Sequence, residues 1–207
     1  MATTKAYPPG GTYFDNGKRS FTQVSVDESK GDAVNTVEFL EASEALVGLF
    51  DVLGSVAFTP VKNDITGNIK KVRDRQLASP LESETLQDLV RNELKTKKHT
   101  ATEGLVWLLR GLDFTSQGLR KNLSNPSAEL STSFREAYTA TLSKFHSFLI
   151  KPIFSAAMSA TPARADFYAK LGDDQERVKK ELDEWLKALE IRVAILTKFL
   201  NSPEAKW

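Results

Sequence analysis

The sequence predicts an all-α fold in a single domain. Apolar residues recur at helical spacing through most of the chain after residue 33, and the breaks between runs fall at Pro, Gly and capping residues. Only one brief stretch, Phe21 to Val26, alternates in the manner of a strand. The 207 residues suffice for one sizeable core, and no internal repeat, low-complexity tract or linker divides them. Residues 1–33 are expected to form an irregular N-terminal arm rich in Gly, Pro, Ser and Thr, and residues 34–207 a helical body of about seven or eight helices.

Within the arm, Phe14 and Phe21 are the side chains expected to tuck it onto the body. The first helix runs from Val37 to Phe50, with apolar residues at 39, 40, 46, 47, 49 and 50 and Thr36 as its cap. Pro60 suits the first turn of the second helix, which carries Ile65, Ile69 and Val72 on one face. Ser79-Pro80 interrupts, and Leu81 to Leu94 resumes the pattern with Leu86, Leu89 and Leu94. A basic, polar link from Lys95 to Thr100 leads into Ala101 to Leu123, strongly apolar through Leu105 to Leu109 and hence a buried helix, closed by Asn125-Pro126. Ser127 to about Ser147 is amphipathic, Pro152 turns the chain, and small residues from Ala156 to Ala160 continue it. A short segment, Arg164 to Leu171, precedes Gly172-Asp173-Asp174, a loop ending in a cap. The last helix, 175–201, carries a stripe of Leu182, Leu186, Leu189, Val193, Leu196 and Leu200, too short for a coiled coil and suited to packing on its neighbours.

Composition narrows the function. Lys and Arg number 28 against 27 acids, a net charge of +1, which argues against nucleic acid as a partner because duplex binders need a dense basic footprint. There is no cysteine and only two histidines, His99 and His146, so disulfides, thiolate catalysis and Cys- or His-rich metal sites are excluded. The N-terminus has no apolar core of a signal peptide, and no apolar run approaches the ~18 residues that span a bilayer. The expected setting is cytoplasmic.

The second helix presents Asp64, Asn68 and Lys71 at i, i+4 and i+7. At about 100° per residue, these fall within about 60° of one another. An acceptor, a mixed donor and acceptor, and a cation in one row suit a polyhydroxylated partner without net charge. The same spacing also describes an ordinary solvated helix face. Trp107 lies in the apolar run of the buried helix, where plain core packing is the simpler role. His146 lies among Phe145, Phe148 and Leu149, where a structural imidazole is the simpler role. Together the three elements resemble a sugar site, because sugars combine hydroxyls with a C–H face that an indole can cover. An enzymatic pairing of Asp64 with His146 lacks a second carboxylate near the row, a nucleophile elbow and a phosphate-cradling loop.

Three separated segments, Phe58 to Lys71, Val106 to Phe114 and Lys144 to Met158, extended by Pro162 to Tyr168, closely resemble the glycolipid transfer protein family. The likeness runs from about residue 36 to residue 200 and is strongest to the fungal, heterokaryon-incompatibility C type members. It implies a two-layer sandwich of eight helices that holds one glycosphingolipid and moves it between membranes without chemistry or cofactor; glucosylceramide, galactosylceramide and lactosylceramide are the implied ligands. Asp64, Asn68 and Lys71 then look like sugar contacts and Trp107 like the platform under the first sugar. Asp64 and His146 look like a clamp on the ceramide amide, the carboxylate accepting from N–H and the imidazole donating to C=O.

The ceramide needs an apolar tunnel. Each CH₂ left in water costs ~0.8 kcal/mol, hence on the order of 13 kcal/mol for a chain of ~16 carbons. Phe50, Val61, Leu142, Phe154 and Phe167 are the expected wall. Phe148, Leu149, Ile150 and Lys151 are the expected transient membrane contact, with Phe148 where animal members carry tryptophan. Glu103 stands where those members have an apolar residue near the tunnel, and Asn201 to Trp207 matches too poorly to carry a sugar contact. Relatives that carry ceramide-1-phosphate place cations at the positions of Asn68 and Trp107, which makes that cargo the nearest rival. A glycolipid sensor or signalling adaptor is the rival from another class.

Overall fold

The computed structural model describes residues 7–207; the first six residues of the arm lie outside the described residues. Among the described residues nine α-helices follow one another: α1 Thr36–Val47, α2 Leu49–Leu53, α3 Thr59–Ala78, α4 Leu86–Lys95, α5 Thr100–Ser124, α6 Leu130–Ala140, α7 Lys151–Ser159, α8 Arg164–Leu171 and α9 Gln175–Leu200. Only Gly48, itself in helical conformation, separates α1 from α2, so the pair forms one bent helix and the total becomes eight. The spine is α5, which packs against α3, α4, α6 and α9. Leu105, Leu108, Leu112 and Leu119 of α5 are fully buried, each worth ~1.5–3 kcal/mol of transfer free energy.

Two close approaches set the spine's neighbours. A Cβ on Gly118 would stand 2.5 Å from the Phe134 ring of α6. One on Gly104 would stand 3.0 Å from Lys71 Cβ of α3. Only hydrogen at these positions lets the helices touch without displacing a buried ring or a lysine stem.

The helix starts differ in detail from the sequence expectation. Asn35, not Thr36, caps α1, accepting from Glu38 N at 3.0 Å. Thr85 caps α4 through Asp88 N at 3.1 Å, so α4 begins five residues after Leu81, which is 97% exposed. His99 gives α5 no side-chain cap. Instead, the buried Glu93 of α4 accepts from Ala101 N at 2.9 Å, Thr102 N at 2.7 Å and Thr102 Oγ1 at 2.7 Å. A carboxylate at that end also suits the helix dipole. Glu93→Ala strands three buried donors and is expected to cost about 2–4 kcal/mol, read as a lower urea midpoint. An unchanged midpoint would show that water can take over the cap.

The arm is more ordered than expected. Its alternating stretch folds as a 3₁₀ turn over Phe21–Gln23, and only Val26–Asp27 (β1) pairs antiparallel with Ala33–Val34 (β2). Phe21 is 0% exposed and packs edge-on against Phe39 and Trp185, while Phe14 leans on Trp185 at 6.1 Å. Gln87 of α4 holds the ribbon in place, accepting from Val34 N at 3.0 Å and donating to Asp32 O at 2.9 Å.

Ser127–Ser147 is not one amphipathic helix. Thr141 Oγ1 donates back to Ala137 O at 2.7 Å and Ser143 N reaches Tyr138 O at 3.0 Å, so the helical ladder ends and residues 141–150 form turns. Hydroxyl groups bonding to the preceding turn compete with helix propagation. His146 therefore stands on a turn, not on a helix. Pro152 then sits in the first turn of α7.

Candidate functional site

The row on α3 is a connected chain. Lys71 Nζ donates to Asn68 Oδ1 at 3.2 Å, and Asn68 Nδ2 leans toward Asp64 Oδ2 at 3.4 Å, a long bond. Asn68 is only 4% exposed, whereas Asp64 and Lys71 reach the surface. Gly104 makes this possible: the Lys71 stem lies along the bare backbone of α5, one turn before Trp107. The close contact of α3 with α5 thus brings the row beside the indole.

Half-buried Trp107 stacks near-parallel on His146, with ring centroids 6.1 Å apart and planes at 18°. Phe145 meets it edge-on at 6.4 Å. The Arg110 guanidinium lies 4.6 Å from the Trp107 centroid and 3.6 Å from that of Phe145. His146 is held by three elements: the α5 indole, Tyr138 of α6, whose hydroxyl is 3.1 Å from Nδ1, and Phe154 of α7, 4.5 Å between ring centroids.

Charges at the site are tuned by crowding. Although Asp64 is exposed along one edge, desolvation by the surrounding protein raises its pKa above the ordinary 3.8, while His146, Lys71 and Asn68 pull the other way. Burial lowers the His146 pKa below 6.5, opposed by Asp64 and reinforced by Lys151 and Arg110. At neutral pH an ionised carboxylate and a neutral imidazole stand near each other, one an acceptor and the other carrying a single ring hydrogen. That pair can grip a group offering both N–H and C=O, while the row and the indole offer polar and flat apolar contacts to a sugar.

Beneath His146 an aromatic file leads inward. Phe154 stacks on Tyr138 at 5.4 Å, and Phe114 meets Phe154, Tyr138 and Phe134 edge-on at 5.6–6.1 Å. Phe50, Val61, Leu142, Phe154 and Phe167 all belong to one contiguous buried cluster. Phe154 meets the His146 ring, whereas Phe50 and Phe167 sit on the packed pair α2 and α8. Glu103 is exposed on the first turn of α5, outside this wall.

Phe148 is 79% exposed, and Leu149, Ile150 and Lys151 are exposed beside it at the start of α7. Ile153 and Val56, the latter 89% exposed on a 3₁₀ turn packed against α7, widen this apolar tip. No local pattern marks Val56, which the fold brings there. Sequence reasoning also missed Arg110, although it lies one turn after Trp107, and Tyr138, eight residues before His146. A cleft of about 490 Å³ opens next to Phe145, lined by Arg110, Asp113, Lys144, Asn201 and Trp207 among others. Asp113, which accepts from Gln117 at 2.9 Å, is a second carboxylate in this neighbourhood, and Trp207 stacks on His99 at 5.5 Å.

Comparison with known proteins returns one family. The family model described as Glycolipid transfer protein (GLTP) matches residues 34–173. A glycolipid transfer protein of Aureobasidium melanogenum is 70% identical over 98% of this chain and 99% of its own length. The Homo sapiens pleckstrin homology domain-containing family A member 8 is 34% identical over 89% of this chain, which spans only 38% of that longer protein. Among solved structures, HET-C2, a fungal glycolipid transfer protein, superposes with a TM-score of 0.93 at 60% identity, covering 95% of this chain and all of that one. A structure showing how FAPP2 selects simple glycosphingolipids gives 0.84 at 29% identity over 95% of this chain and 98% of that one.

Proposed function

The chain belongs to the glycolipid transfer protein family, and from that premise we propose that it binds one glycosphingolipid and carries it between membranes without making or breaking a bond. The sugar rests on Asp64, Asn68, Lys71 and Trp107. Asp64 accepts from the ceramide amide N–H and His146 donates to its C=O. The chains enter the aromatic file below His146 and displace the packing around Phe154, Leu142, Val61, Phe50 and Phe167. The observation that carries this reading is the row on α3, in which an acceptor, an amide and the Lys71 ammonium are linked by hydrogen bonds, beside a half-buried indole stacked on an imidazole. The ligand class includes glucosylceramide, galactosylceramide and lactosylceramide.

No helix among the described residues is long and apolar enough to cross a membrane. In the proposed cytoplasmic setting, Phe148, Leu149, Ile150, Ile153 and Val56 dip into a bilayer beside Lys151, a small apolar tip suited to reversible contact. Vesicle-to-vesicle movement of glucosylceramide tests the proposal: transfer at a substantial rate supports a carrier, and tight binding with negligible transfer supports a sensor. In that assay Phe148→Asp is expected to slow transfer about tenfold or more, since a charge replaces an inserting ring, with binding in detergent unchanged. Equal rates would remove Phe148 from the membrane contact.

A further inference from the structure

The contact between Tyr138 and His146 decides which hydrogen-bonding face the imidazole shows. His146 Nδ1 is the sole hydrogen-bond partner of the Tyr138 hydroxyl among the described residues. The tyrosine is buried and its ring is fixed by parallel stacking on Phe154, at 5.4 Å and 18°, so the hydroxyl has little freedom to turn away. A neutral imidazole carries one hydrogen, which leaves two arrangements. If Nδ1–H donates to the phenol oxygen, the tyrosine hydrogen is left in a part-buried place without a protein partner and Nε2 presents a bare lone pair. If the phenol donates to Nδ1, that hydrogen is satisfied and Nε2 carries the imidazole hydrogen. Leaving a part-buried donor without a protein partner is the costlier outcome.

We propose that Tyr138 is a positioning residue, which holds His146 in the Nε2–H tautomer and so makes it a donor toward the ligand. The tautomer stands on the geometry of the two residues; its consequence for transport rests on the glycosphingolipid reading above. Against Asp64, an acceptor, a donor at His146 completes a complementary pair for an amide, whereas the other tautomer would set two acceptors against one N–H and leave the C=O unpaired.

Long-range ¹H–¹⁵N correlation on lipid-free protein near neutral pH tests the lock directly. The expected spectrum shows His146 Nδ1 as the bare nitrogen and Nε2 as the protonated one. Tyr138→Phe keeps the ring stack, and is expected to mix the tautomers and slow galactosylceramide transfer about 3- to 10-fold, the worth of one hydrogen bond. Tyr138→Leu, which removes the ring as well, reports the separate cost of packing. A protonated Nδ1 in the wild type overturns the proposal, as does a Tyr138→Phe protein with unchanged tautomer and transfer. Wild-type protein that shows Nε2–H yet carries no glycolipid upholds the lock and overturns the transport reading instead.

Discussion

Replacing Asp64 by Val is expected to abolish glycosphingolipid transfer while leaving the unfolding midpoint close to that of the wild type. In the proposed complex the carboxylate accepts from both the amide N–H and a sugar hydroxyl, and hydrogen bonds to a charged group are worth ~1.5–3 kcal/mol each. Losing two of them lowers affinity by about 10²- to 10⁴-fold, enough to remove measurable transfer. The fold loses little. Among the described residues Asp64 makes no ion pair, and its one hydrogen bond is the long contact from Asn68 at 3.4 Å. The sign of its titration agrees. A carboxyl whose pKa is raised on folding contributes stability below its unfolded value and loses it as pH rises through the folded one. At neutral pH the ionised Asp64 therefore does not support the fold, and valine removes no such support. For the same reason, acidification should cut wild-type transfer at a higher pH than an ordinary aspartate would, because burial makes Asp64 take up its proton early. Normal transfer by Asp64→Val would sink the site assignment.

Trp107→Ala carries the second large effect, and its direction separates a binding platform from a core residue. The indole is half-buried, so truncation forfeits part of the 3–5 kcal/mol of a fully buried tryptophan together with about 0.5–1 kcal/mol from Arg110, roughly 2–3 kcal/mol in all. A domain with 5–15 kcal/mol of stability survives that loss. Discrimination between glucosylceramide and bare ceramide should collapse by about tenfold, because the proposed flat face under the sugar is gone while the proposed Asp64–His146 clamp remains. Circular dichroism and a two-ligand binding comparison decide the matter: global unfolding would show that Trp107 serves the core first.

Much of this architecture is legible in the sequence because helical periodicity reports burial directly. The long apolar run of α5, the proline in the first turn of α3 and the Asp174 cap of α9 all sit where their residues predict. The misreadings have local causes. Thr141 and Ser143 look amphipathic in a helical register, but their hydroxyl and backbone bonds end α6 and send His146 out on a turn. Leu81 continues an apolar pattern that Thr85 in fact interrupts. At the site, the α3 row is visible as spacing within one helix. Its meaning depends on contacts between helices: Gly104 against Lys71, Tyr138 against His146 and Val56 against α7. Such pairings join residues far apart in the chain, and no local period records them.

The proposed site is built for an uncharged sugar on a ceramide. Arg110 and Lys71 place two cations near the site, so a phosphate headgroup is the demanding competitor. Equilibrium binding of glucosylceramide and ceramide-1-phosphate with the same acyl chain, measured at physiological salt, separates the two headgroups. Preference for glucosylceramide by about tenfold or more is predicted from the hydrogen bonds the row makes to sugar hydroxyls. Tighter binding of ceramide-1-phosphate would contradict it.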